Sequence, residues 1–265
     1  MSTQRRALIT GASSGIGEAT ATLLANAGYR VALLARRGSE LERVRARLPR
    51  ADEHLCVPCD LRDPRAITDA VRRVGESFGA LDLLVHNAGH GYLAKVEETD
   101  SATVRSLYET NVVAVIDLSR EALPLLRKGT LPVVVLVSSI VARRGVPGQI
   151  VYASSKAALN SIGEGLRIEW AKDAIAVCLL DVTLTRTAFF AAQPNPKQLA
   201  GPSLAGADDP ARVARAILDL DRKPQPELYL STKWRWLGLL SLLAPRLGDR
   251  MLVKRMGGGW SSPRR

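Results

Sequence analysis

Short apolar runs and helical repeats alternate along almost the whole chain. RALITG (6–11), RVALLA (30–35), HLCVPC (54–59), DLLVHN (82–87), LPVVVLVSS (131–139) and IAVCLLDV (175–182) are nearly continuous in apolar residues. A strand with one wet face alternates, so runs this uniform predict parallel strands buried on both faces. Between them, apolar residues return every three or four positions. That spacing predicts helices near 15–27, 39–48, 64–78 and 101–128, another through GQIVYASSKAALNSIGEGLRIEW, and a shorter one at 211–221 before a last strand, ELYLS (227–231). Repeated strand–helix units make a doubly wound α/β sheet with helices on both faces and right-handed crossovers. Residues 191–210 are rich in Pro, Gly and Asn and predict a long surface loop. Residues 1–232 therefore read as one domain, with 233–265 as a basic amphipathic extension.

Composition changes this picture little, but charge does. Apolar residues make up 46% and charged residues 24%, an ordinary globular balance. The net charge of +11 suggests nucleic acid until it is located. From Lys233 onward there are eight basic residues and one acid, Asp249, which is +7 of the +11 and leaves +4 for the rest. With no recognition motif, a nucleic-acid partner is not expected. Three cysteines do not make a disulfide framework. Cys56 and Cys59 form a CxxC on a strand, where an odd separation sends them to opposite faces, so no metal site is expected. MSTQRR before the first apolar run holds no leader, and LGLLSLLA (237–244) is too short to span a bilayer, so the expected location is cytoplasmic.

The first strand runs into TGASSGIG (10–17) and then a helix. Glycines 11, 15 and 17 allow a tight turn and close backbone approach, and the helix N-terminus offers free N–H groups to a pyrophosphate. This strand–turn–helix placement predicts a dinucleotide site of the Rossmann type. NAD-binding sheets usually end the second strand with an acid for the ribose 2′-hydroxyl. Here that strand ends in Ala35, followed by Arg36 and Arg37. Arginine is the natural partner of a 2′-phosphate, so NADP(H) is the expected cofactor. Further along, Tyr152 and Lys156 of YASSK lie four apart, on one face of a helix.

The turn, the arginines and YASSK together resemble the short-chain dehydrogenase/reductase family, over residues 6 to about 232. The resemblance implies that Asn111, Ser139, Tyr152 and Lys156 are catalytic, Ser139 being chosen over Ser138 by its spacing to the tyrosine. It implies cofactor contacts from Gly11, Ser13, Ser14, Gly15, Ile16 and Gly17, from Arg36 and Arg37, and from Asp60 and Leu61. Asn87, Ala88 and Gly89 of HNAG, the catalytic pair Tyr152 and Lys156, and Thr187 complete the set. His86 replaces the usual first Asn of that motif and is expected to support the sheet. Val182-Thr183 stands where Pro-Gly is usual, which alters the backbone path expected there. The family's activity implies interconversion of a carbonyl and an alcohol by hydride transfer, with Tyr152 as acid and base. A dinucleotide-binding regulator or scaffold without chemistry is the alternative, but it would be expected to break the four residues.

A free phenol has a pKa of about 10, so work as a base near neutral pH demands ~3 units of lowering, which Lys156 is expected to help supply. Ser139 is expected to orient the substrate oxygen and Asn111, by resemblance, to anchor a water that relays protons from Lys156. His90 reads as an exposed loop residue without a role. Phe189 and Phe190 either face an apolar ligand or pack in the core. The resemblance also implies a homo-oligomer paired through helices at 101–128 and 150–172. In 233–256, tryptophans and leucines alternate with Arg and Lys. Such a face is expected to cover the cleft or a partner subunit, with peripheral membrane contact as the other reading.

Overall fold

A computed structural model describes residues 4–201 and 203–256. Residues 257–265, the end of the basic extension, lie outside the described residues. Seven parallel strands form one sheet: β1 (Arg6–Thr10), β2 (Arg30–Ala35), β3 (Leu55–Pro58), β4 (Leu83–His86), β5 (Val133–Ser139), β6 (Ala176–Val182) and β7 (Glu227–Tyr229). Their order is β3-β2-β1-β4-β5-β6-β7. The chain thus winds outward from β1 in one direction and from β4 in the other, leaving a crevice at the carboxyl ends where the direction reverses.

The period-two geometry of each strand divides its apolar residues between two cores. Ala7, Ile9, Val135 and Leu180 face one way, with α1 (Gly15–Asn26), α2 (Gly38–Arg45) and the later helix α8 (Pro210–Arg222) covering them. Leu8, Val134, Leu136 and Leu179 face the other way, covered by α3 (Pro64–Phe78), α5 (Ala114–Leu126) and α6 (Ile150–Glu169). Cys56 lies in the first core and Cys59 in the second, as the odd spacing requires. All three thiols are buried and unpaired, and among the described residues no group of side chains could hold a metal ion. Full burial of a leucine or isoleucine side chain is worth about 1.5–3 kcal/mol, so these two layers carry the fold.

Three helices begin on a side-chain cap. Asp63 accepts from the Arg65 amide at the start of α3, Asp209 from Ala211 at α8, and Asp100 from Thr103 at α4 (Ser101–Tyr108). The helix expected over 101–128 is continuous but not uniform. One π-helical turn, Glu109–Val113, separates α4 from α5 and carries Asn111 at its middle. Beyond β6 come α7 (Phe189–Ala192), the long loop and α8. After β7 the chain forms a hairpin of two helices, α9 (Thr232–Leu243) and α10 (Pro245–Met256). Pro245 lacks the N–H that would continue α9 and opens α10 instead. No described helix is long and apolar enough to cross a membrane.

Candidate active site

The glycine turn lies at the end of β1, where the sheet reverses direction. Gly11 and Gly15 sit at φ +67° and +57°, a region that glycine enters without strain. A Cβ on Gly17 would overlap the Gly11 carbonyl oxygen and stand 2.8 Å from Asn87 Nδ2. Unlike α3, α4 and α8, α1 has no side-chain cap at Ser14. Its first amides and the positive end of its dipole are left for an anion. Ser13, Ser14 and Ile16 fill out this cradle, so the turn fits a pyrophosphate.

The turn is braced from two sides. Asn87 donates from Nδ2 to the Thr10 carbonyl (2.8 Å), while the Asn87 and Ala88 amides donate to Thr10 Oγ1 (2.9 Å each). Arg43 of α2 donates to the Ser13 carbonyl (3.2 Å) and pairs with Glu18 and Glu40, both at 2.9 Å. Sequence reasoning missed this arginine, which carried no motif. Arg36 and Arg37 are exposed and have no ion pair or side-chain hydrogen bond among the described residues. They fit a phosphate beyond the end of β2. Asp60 is not free: Arg62 holds its carboxylate at 2.6 Å and keeps it down at about 2. Leu61 is half-buried beside it against the second core.

The four residues predicted to be catalytic converge at the ends of β5, α6 and the π-helical turn. Ser138 is spent on structure, donating to Asn160 Oδ1 at 2.7 Å. Ser139 Oγ accepts only a long bond from the Val141 amide (3.4 Å) and lies near enough to Tyr152 to draw its pKa down. Lys156 is buried but does not meet the phenol. Its Nζ donates to the Val137 carbonyl (2.9 Å) and stands 6.0 Å from the Tyr152 ring centre. Burial pushes Tyr152 up to about 12, against the pull of Ser139, and pushes Lys156 down to about 8, against the charge of Asp181. The expected phenol near neutrality is therefore not what the protein alone produces; burial outweighs a lysine at this distance.

Asn111 pins the neighbouring loop. Its Oδ1 accepts from the His90 amide, and its Nδ2 donates to the His90 carbonyl and to Ser155 Oγ, each at 3.0 Å. It does not touch Lys156. Gly89 lies between them, and a Cβ there would meet Asn111 Oδ1 at 3.0 Å and Lys156 Nζ at 3.7 Å. His90 is not exposed as expected: it is half-buried, and burial lowers its pKa. His86 is fully enclosed, bonded to Ser119 Oγ at 3.0 Å, and kept neutral by a pKa of about 3.

The segment without Pro-Gly is held by other means. Thr183 Oγ1 donates to the Asp208 carboxylate, and the Asp208 backbone pairs with Leu184 and Arg186, both at 2.8 Å. Thr187 consequently lies against the phosphate turn, its Cγ2 3.0 Å from where a Cβ on Gly15 would be. Phe189 packs tilted on Tyr152, ring centres 5.6 Å apart, and Phe190 meets Phe189 edge to face at 5.2 Å, so both belong to the site rather than to the sheet cores. Tyr92, Ala94 and Leu107 form a small buried apolar cluster against which Tyr152 packs.

Asp181 on β6 has no exposed surface, and neither carboxylate oxygen has a hydrogen-bond partner. Burial pushes it up to about 6, although Arg143 stands 3.9 Å away. A raised carboxylate pKa means that the folded state keeps a proton the unfolded chain has released. Stability therefore falls as pH rises from about 4 to about 6 and stays reduced above that. Two units correspond to at most about 3 kcal/mol. Asp181→Asn is expected to melt several degrees above wild type at pH 8 and together with it at pH 4. Equal melting at both values would show the carboxylate to be compensated.

A profile described as short chain dehydrogenase matches residues 5–198. A short-chain dehydrogenase from Streptomyces avermitilis superposes with a TM-score of 0.79 at 30% identity, covering 96% of this chain and 98% of that one. An alcohol dehydrogenase from Thermococcus sibiricus, complexed with 5-hydroxy-NADP, gives 0.77 at 29% identity, covering 87% and 97%. A 3-ketoacyl-(acyl-carrier-protein) reductase from Brucella melitensis, complexed with NADH, gives 0.76 at 27%, covering 85% and 96%. By sequence and by fold, the chain is an oxidoreductase of the short chain dehydrogenase family.

Proposed function

We propose that this protein reduces a carbonyl on an apolar substrate with NADPH, Tyr152 donating the proton. The observation that carries the reading is the placing of the Ser139 hydroxyl near enough to Tyr152 to draw its pKa down, beside the phosphate turn and with Lys156 one helical turn below. The dinucleotide supplies the hydride. Ser139 holds the substrate oxygen, and Tyr152, protonated at neutral pH, delivers its proton to that oxygen. Lys156, near its midpoint at about 8, carries the positive charge that stabilises the phenolate left behind. Asn111 fixes the His90 loop and, through Ser155, the helix that bears Tyr152. Phe189 and Phe190, packed beside Tyr152, favour an apolar substrate over a charged one. Three buried, unpaired thiols suit the cytoplasm.

The related structures hold either form of the nicotinamide dinucleotide, so cofactor choice rests on this chain's own Arg36 and Arg37. A guanidinium without an internal acid partner is available to a 2′-phosphate, and bonds to charged groups contribute about 1.5–3 kcal/mol. Arg36→Asp is expected to weaken NADPH by about ten- to a hundredfold and NADH far less. Fluorescence titration of both cofactors against both proteins checks this. Equal losses, or equal use of both cofactors by wild type, would remove Arg36 from the argument.

A further inference from the structure

Half of the large apolar side chains exposed among the described residues belong to the α9–α10 hairpin. Trp236, Leu240, Leu243 and Leu247 recur at three and four, with Trp236 68% and Leu243 87% exposed. Leu239 and Leu242 extend the apolar surface around α9. Apolar surface of this extent is normally covered. Here α10, β7 and the turn Ile140–Arg143, which directly follows Ser139, pack against α9 and still leave these side chains exposed.

The hairpin is firmly seated. Arg144 donates to the Ser241 (3.3 Å) and Pro245 (3.1 Å) carbonyls and pairs with Asp249, the only acid in either helix. That pairing leaves Lys233, Arg235, Arg246, Arg250, Lys254 and Arg255 exposed and without an ion pair among the described residues. Arg255 lies over the Trp234 ring at 4.4 Å. We infer that α9–α10 is a docking surface for an anionic lipid bilayer. Basic and apolar side chains share one surface, as in helices that lie in a bilayer interface, where tryptophan and arginine stems sit between headgroups and acyl chains. Charge selects this occupant over a second copy of the chain. A two-fold contact would set six cations against the same six, whereas anionic headgroups neutralise them. Neither helix can cross the bilayer, so the surface lies on it. The inference does not depend on the proposed reaction.

The test sediments the full chain with phosphatidylcholine vesicles, with and without about a quarter phosphatidylglycerol, at low and high salt. Pelleting is expected only with the anionic vesicles and is expected to weaken with salt. Trp236→Asp/Leu243→Asp and, separately, Arg246→Gln/Arg250→Gln are each expected to lower partitioning by about tenfold or more. Both pairs lie on the surface, so melting temperatures should match wild type, and the charge pair serves if the apolar pair misfolds. Absence of pelleting at low salt overturns the inference, as does equal pelleting of both variants. A dimer that forms without vesicles and is dissolved by Trp236→Asp/Leu243→Asp would also overturn it, assigning the surface to a second copy.

Discussion

Tyr152→Phe is expected to lower turnover by about two to four orders of magnitude while leaving the affinity for NADPH within about twofold. The substitution removes one oxygen. The ring keeps its place on Phe189 at 5.6 Å, and no part of the phosphate turn is touched. What disappears is the phenol that stands beside Ser139 at the proposed oxygen site. A loss of that size corresponds to about 2.7–5.5 kcal/mol of transition-state stabilisation, well beyond a packing change of one hydroxyl. Single-turnover rates and cofactor titration separate the two effects. A Phe variant within about tenfold of wild type would assign the proton to another group.

Gly17→Ala is the second large effect. The added Cβ overlaps the Gly11 carbonyl oxygen and comes within 2.7 Å of its carbon, both backbone atoms of the phosphate turn. Asn87 Nδ2, at 2.8 Å, cannot yield freely because it donates to the Thr10 carbonyl. Relief therefore has to come from moving the turn itself. Overpacking of this kind typically costs about 1–3 kcal/mol. Because the displaced amides are those offered to the pyrophosphate, NADPH affinity is expected to fall at least about tenfold, with a lower melting temperature. Gly165→Ala on α6 is the control. A Cβ there meets nothing within 4 Å, and stability is expected to stay level or rise. Unchanged cofactor binding in Gly17→Ala would mean the turn does not hold the phosphates.

Much of this architecture was legible because burial writes directly into sequence. Stretches such as VVVLV and AVCLL are apolar at every position because the sheet is covered on both faces. The glycine turn was legible because no other residue type fits where a Cβ would strike backbone. The spacing that favoured Ser139 over Ser138 agrees with the bond that ties Ser138 to Asn160.

What stayed hidden depends on hydrogen-bond register and on distance. The π-helical turn around Asn111 leaves the apolar period of 101–128 almost intact, so the pattern carries no mark of it. YASSK places Tyr152 and Lys156 on one face but does not say that Val137 captures the ammonium. The phenol's rise to about 12 follows from tertiary burial, which a motif does not encode. Likewise, the loss of Pro-Gly was visible, but its replacement by the Thr183–Asp208 link depends on a residue 25 positions away.

The most direct test follows one hydride. Wild-type protein is incubated with NADPH deuterated at the transferring position of the nicotinamide and a panel of apolar ketones and aldehydes, and the products are read by mass spectrometry. The account predicts an alcohol carrying one deuterium on its carbinol carbon, formed by wild type and nearly absent with Tyr152→Phe. Saturable NADPH binding with no deuterium in any product would contradict it, and would leave a dinucleotide-binding protein without this chemistry.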